Sequence, residues 1–299
     1  MGQESRPLAK LRVGLSVAGN AEELARYGFT PAGMNRYTMR LTRALLAEGA
    51  YLAFGHDWRP DGVMEAITSL AFDYHRLPEP GQERPLILNL VPWPRKRSNV
   101  DADLLLRLEG TVKVEPVDLP DELQGLEEKA LQLKSGSEEY RYLEARGLTQ
   151  LRRQLELHCN ARVAMGGKLT RYSGRLPGIV EEVLFALRSH HPVYLAGLLG
   201  GAARALGRVI LYGEDPEPIF RDLPLEELYR QRATPATQDA LDDASLDREA
   251  LEQELRSDEI RARLLDNGLT EEENRQLLDS TLEEETILLI LKGLKSVSG

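Results

Sequence analysis

The strongest constraint on this chain is a pattern over residues 11–91, where short apolar runs alternate with amphipathic stretches too long to be turns. Residues 11–17 form a buried-type run closed by Ala18-Gly19-Asn20, the pattern of a strand entering a loop. A glycine-bearing loop reaching Gly33 follows. Met39, Leu41, Leu45 and Leu46 then recur at helical steps across residues 35–48, with Gly49 where a helix stops. Residues 50–54 read as a second strand, 55–62 as a loop, 63–74 as a helix and 86–91 as a third strand. Strands separated by helices cannot pair through tight hairpins, so neighbours run parallel and helices cover both faces of their sheet.

The same alternation resumes further on. Residues 162–165 and 192–195 read as strands, 177–188 and 200–206 as helices, and 208–212 as a last strand. Between them, residues 118–159 read as two helices interrupted by Ser135-Gly136-Ser137, either an insertion or a cover for one face. The expected class is therefore α/β, a Rossmann-like parallel sheet flanked by helices, with a helical insertion and a helical acidic tail. After Gly213 the composition turns to Asp, Glu, Leu and Arg, with Pro216, Pro218 and Pro224 early on. This sets a candidate boundary between a ligand-binding domain, residues 1–213, and an extension, residues 214–299. Thr270 and Glu273 have capping-box spacing, which predicts a helix start there.

Charge narrows the partners. From residue 215 onward there are 22 acidic and 10 basic side chains, which leaves 26 acidic and 28 basic before it. The body does not repel an anionic ligand, whereas the acidic tail argues against nucleic acid. Charges interrupt every apolar run before membrane-spanning length, and the start lacks a signal-peptide core, so the expected location is the cytoplasm with no membrane partner. Cys159 is the one cysteine and reads as a core thiol. No metal site is expected, and the stretch from Gly14 to Gly33 lacks a compact G-x-G-x-x-G, so no cofactor is expected either.

The richest candidate site joins a strand to a helix in Met165-Gly166-Gly167-Lys168-Leu169-Thr170-Arg171-Tyr172-Ser173-Gly174-Arg175-Leu176-Pro177-Gly178. Gly166, Gly167, Gly174 and Gly178 let backbone approach a ligand, and a helix opening at Pro177 presents free amides to an anion. Lys168, Arg171 and Arg175 add positive charge suited to phosphate. Glu181 and Glu182 follow in the first turn, where each either complements the helix dipole or acts on a ligand as an acid or base. Other strand-end loops contribute Ser16, Gly19 and Asn20, then Gly55, His56, Asp57 and Gly62, and finally Gly197 and Gly200. Asn35 either caps the first helix or, with Arg36, reaches a base or phosphate. These loops should share the carboxyl edge of the sheet, where open α/β sheets bind ligands. His190 and His191 fall on the opposite edge and read as structural.

The Gly174-Arg175-Leu176-Pro177-Gly178-Ile179-Val180-Glu181-Glu182 stretch, together with the first two crossovers, resembles the SLOG superfamily. That group includes Lonely Guy phosphoribohydrolases and Smf-DprA-like Rossmannoid nucleotide-binding domains, and the resemblance covers residues 11–212. In Lonely Guy enzymes a Pro-Gly-Gly-x-Gly-Thr-x-x-Glu motif opens this helix and its glutamate acts at the ribose carbon. Here the Gly-Thr pair is absent. The sequence is closer to the Gly-Gly…Pro-Gly-Ile-x-Glu-Glu variant of domains resembling ligand sensors, some linked to bacterial conflict systems. The resemblance implies a nucleotide or ADP-ribose-type ligand and a role in conflict or signalling, with a homodimer or an effector protein as partner. Two alternatives stand beside it: an N-glycosidic hydrolase releasing a base through Glu181 or Glu182, and an interaction protein acting through its acidic tail.

Overall fold

Strand β1 (Arg12–Ala18) lies near the middle of the sheet, where its apolar residues are covered from both sides. The chain then runs outward through β2 (Tyr51–Gly55), β3 (Ile87–Pro92) and β4 (Val112–Val117), and returns to the other flank of β1 with β5 (Ala161–Gly166) and β6 (Val193–Ala196). The computed structural model describes residues 6–55, 62–64, 67, 70, 85–93, 106, 110–126, 132–134, 136–232 and 248–298. Among these, six parallel strands form one sheet in the order β4-β3-β2-β1-β5-β6. The direction of winding therefore reverses between β1 and β5.

Strand pleating divides the core. Val13 and Leu15 face a layer built from α2 (Pro31–Ala47) and the C-terminal helix α11 (Glu283–Val297), joined by Met64 and Ile67 from the helical residues after Gly62. Gly14, Ser16 and Ala18 face the other side, where α3 (Glu138–Leu157), α4 (Gly178–Arg188) and α5 (Gly201–Tyr212) pack. Cys159 belongs to that second layer, and burial pushes its thiol up to about 12, so it stays protonated and unreactive.

Several boundaries differ from those expected. The loop after β1 holds a short helix α1 (Ala21–Ala25), capped by Asn20, whose Oδ1 accepts from the Glu23 amide at 2.8 Å. Helix α2 begins at Pro31 with Thr30 as its cap, so Asn35 lies inside the helix and does not cap it. Residues 208–212 are not a strand. They continue α5, because Ala202, Ala203, Leu206, Val209 and Ile210 make one helical face and Gly213 closes the helix in the left-handed region. Strand β4 was not legible. Lys113, Glu115 and Pro116 interrupt its apolar pattern, as an edge position allows. In residues 118–159, a 3-10 turn (Asp121–Leu126) precedes α3, which Ser137 caps and which forms the β4 to β5 crossover over β2, β3 and β4.

After Gly213 come α6 (Glu217–Phe220), α7 (Glu226–Arg232), α8 (Arg248–Leu255), α9 (Asp258–Leu265), α10 (Glu271–Asp279) and α11. Leu277, Ile290 and Leu294 sit in the same core cluster as Leu41 and Leu45 of α2. The Thr270–Glu273 capping box is formed, and Asn267 donates to the Val193 carbonyl of edge strand β6 at 2.8 Å. Tyr37 bonds Thr286 at 2.6 Å, and Arg40 pairs with Glu283 and Glu284. Glu283 and Glu284 of α11 thus neutralise Arg40 of α2. Among the described residues, no helix is long and apolar enough to cross a membrane.

Candidate functional site

The glycine pair at the end of β5 is explained first by backbone crowding. Gly166 and Gly167 adopt φ of +66° and +100°, and the Gly167 amide donates to the Ala18 carbonyl at 2.6 Å. Gly167 in turn accepts from the Ala202 amide at 3.1 Å. A Cβ on Gly166 would collide with the Ala18 carbonyl, so this pinch of β1, β5 and α5 admits glycine alone.

Above the pinch opens a cleft of about 650 Å³, lined on one side by Asn20, Glu22, Glu23, Arg26 and Tyr27. Lys168, Leu169, Thr170 and Arg171 form the opposite wall, with Gly201, Pro218 and Arg221 closing it. It lies where the winding reverses between β1 and β5, the switch point at which open α/β sheets leave a crevice beyond their carboxyl ends. Arg26 is 3.4 Å from Glu22, and Arg221 is bound by Glu217. Lys168 and Arg171 make no ion pair among the described residues. Arg171 has φ of +54°, a strained setting for a residue with a Cβ, and its amide donates to Asp222 at 3.1 Å. Tyr172 donates to the Asp222 carbonyl. The β5–α4 loop is therefore tied to the segment after Gly213.

A second group of charges lies under α4. Glu181 accepts from Thr149 at 2.7 Å and pairs with Arg152, while Glu182 accepts from Ser16 and lies 3.2 Å from Arg162. Arg162 is fully buried and also bonds Ser16 at 2.8 Å and Glu156. Burial raises the Glu156 carboxyl, but His191 and Arg162 outweigh it and hold that carboxyl below its ordinary value. His191, 2.5 Å from Glu156, is thus part of this framework. Gly174 and Gly178 make room for the Arg152 guanidinium, since a Cβ on Gly178 would lie 2.7 Å from its Nη2. A cation at a helix N-terminus is disfavoured by the dipole, and Glu181 in the first turn offsets it.

The structure thus brings Asn20, Lys168 and Arg171 together in the cleft, whereas Gly166 and Gly167 form the adjoining pinch and do not line it. Glu181, Glu182 and Ser16 belong to the buried network, and Pro177 caps α4 above it. Arg175 is buried with its guanidinium 5.2 Å from the Tyr229 ring centre. Gly19 packs on Leu24, Gly55 on Leu151, Gly197 beneath the Leu278 carbonyl and Gly200 against Tyr27. Asn35 and Arg36 lie in α2, outside the cleft lining, and Gly62 is buried before Val63. His56 and Asp57 lie outside the described residues. Among the described residues no cluster of acidic, His and Cys side chains could hold a metal.

Sequence reasoning missed Glu22, Glu23, Arg26, Tyr27, Thr170, Pro218 and Arg221. The Asn20-x-x-Glu23 spacing was a legible helix-start signal for the first of these.

A family model, SLOG cluster2, matches residues 7–277. The chain belongs to this SLOG family. The match runs well past Gly213 and stops within α10, before α11, and SLOG membership points to a nucleotide-related function. No curated protein matches this SLOG chain.

Proposed function

We propose that the chain binds a nucleotide-derived anion, of nucleotide or ADP-ribose type, and acts as a sensor. The observation that carries this reading is the cleft at the strand reversal, where Lys168 and Arg171 have no ion-pair partners among the described residues. Its volume falls in the range of small-molecule sites, and two unpaired cations on one wall favour phosphate. Its lining also includes Pro218 and Arg221, and Asp222 holds the loop that bears Arg171. A ligand that moves this loop would thus move the segment leading to the C-terminal helices, a route by which occupancy could reach an effector protein or a second copy. The place in bacterial conflict or signalling rests on the SLOG resemblance alone.

The hydrolase reading draws less support. A general acid or base must reach the reacting group. Glu181 is committed to Thr149 and Arg152, and Glu182 to Ser16 and Arg162.

The test is to incubate the protein with nucleoside phosphates, NAD and ADP-ribose, following thermal unfolding and released base by chromatography. Stabilisation without released base is expected. Base release that disappears in Glu181→Gln would replace the sensor with an enzyme, and no stabilisation by any compound would remove the nucleotide reading.

A further inference from the structure

One polar atom of a residue lining the cleft has no partner among the described residues. Glu23 reaches from α1 toward the β5–α4 loop, where its Oε1 lies 3.5 Å from the Leu169 amide. Its Oε2 is buried and has no hydrogen-bond partner among the described residues. An unsatisfied buried carboxylate oxygen is costly, and such atoms call for an explanation such as a missing ligand. Of the groups on the same wall, Asn20 Oδ1 caps the Glu23 amide and Glu22 faces Arg26.

Position narrows what the missing donor can be. Leu169 follows Lys168 directly and precedes Arg171 by two residues, so the orphan oxygen stands against the loop that carries the unpaired cations. A phosphate drawn to those cations is repelled by Glu23, so the group facing Glu23 must be a donor close to the phosphate. In a nucleotide the hydroxyls of the sugar meet that requirement. The amino groups of the base lie beyond the sugar.

We infer that Glu23 determines specificity in this cleft by accepting hydrogen bonds from the ribose hydroxyls of a phosphorylated ribonucleoside. This rests on the nucleotide-binding reading above and adds to it the sugar that the site selects. A site built to bond a hydroxyl rejects the analogue lacking it, because its own polar group is then left unpaired.

The experiment measures calorimetric affinity of the full chain for mono-, di- and triphosphates of adenosine, guanosine, cytidine and uridine, and for their 2′,3′-dideoxy counterparts. For whichever ribonucleotide binds, the dideoxy form should bind about 10- to 100-fold more weakly, as expected for lost hydrogen bonds to a charged group. Glu23→Ala should lower ribonucleotide affinity to the dideoxy level. Dideoxy affinity should not fall in that variant, which reports an intact cleft. Glu23→Gln keeps one carbonyl acceptor and should retain part of the discrimination. Equal affinity for ribose and dideoxy forms in the unmodified protein, with binding still weakened by Lys168→Ala, would overturn the role of Glu23 and leave nucleotide binding standing. No binding across the panel, with none to NAD or ADP-ribose, would overturn both.

Discussion

The two charged regions flanking the β5–α4 loop use the same residue types to opposite ends. In the cleft, Lys168 and Arg171 are partly or fully exposed and lack ion-pair partners among the described residues. Under α4, Arg152 and Arg162 are buried and each is matched by carboxylates. An exposed cation keeps its hydration and is available to a ligand. A buried one must be paired within the fold, and removing one partner strands the other. The lesson is that charge near a glycine-rich loop marks a binding residue only where the fold leaves it unpaired.

The largest effect that tests this contrast is expected from Arg162→Ala. It removes the buried guanidinium that Glu156 and Glu182 share and should destabilise the protein by about 3–5 kcal/mol, read by denaturant unfolding. A loss below about 1 kcal/mol would mean that the network is not a structural unit. Next comes the double variant Lys168→Ala with Arg171→Ala, which should weaken a phosphorylated ligand about 10- to 100-fold while leaving the unfolding midpoint nearly unchanged. Arg175→Ala should do the reverse, lowering the midpoint because Arg175 packs on Tyr229, with little change in affinity. If Arg175→Ala alone abolished binding, the ligand would lie at the start of α4 and not in the cleft.

The smallest expected effect is a pH dependence. The folded-state pKa of Glu156 is lowered, so its contribution is complete above the ordinary carboxylate value and is lost as pH falls through the lowered one. Unfolding midpoints of the unmodified protein and Glu156→Gln should therefore differ most at neutral pH and converge in acid. Parallel curves would place the acid sensitivity elsewhere.

What the sequence determined by itself was the parallel α/β sheet, since periodicity and crossover spacing are local properties that survive into the fold. The apolar runs of β1, β2, β3, β5 and β6 were legible because those strands are largely buried, and the β5 loop was legible from its glycines and cations. Tertiary structure alone decided the rest. Edge strand β4 carries Lys113, Glu115 and Pro116, which a covered strand would not tolerate. Residues 208–212 have strand-like apolar composition, yet continue α5, whose Gly207 packs closely against Leu278 of the distant α10. No local pattern could bring Pro218 and Arg221 to the cleft, or send Arg152 across from α3 to consume Glu181. Pairing depends on which distant side chains burial brings within reach, and that is settled only when the layers close on the sheet.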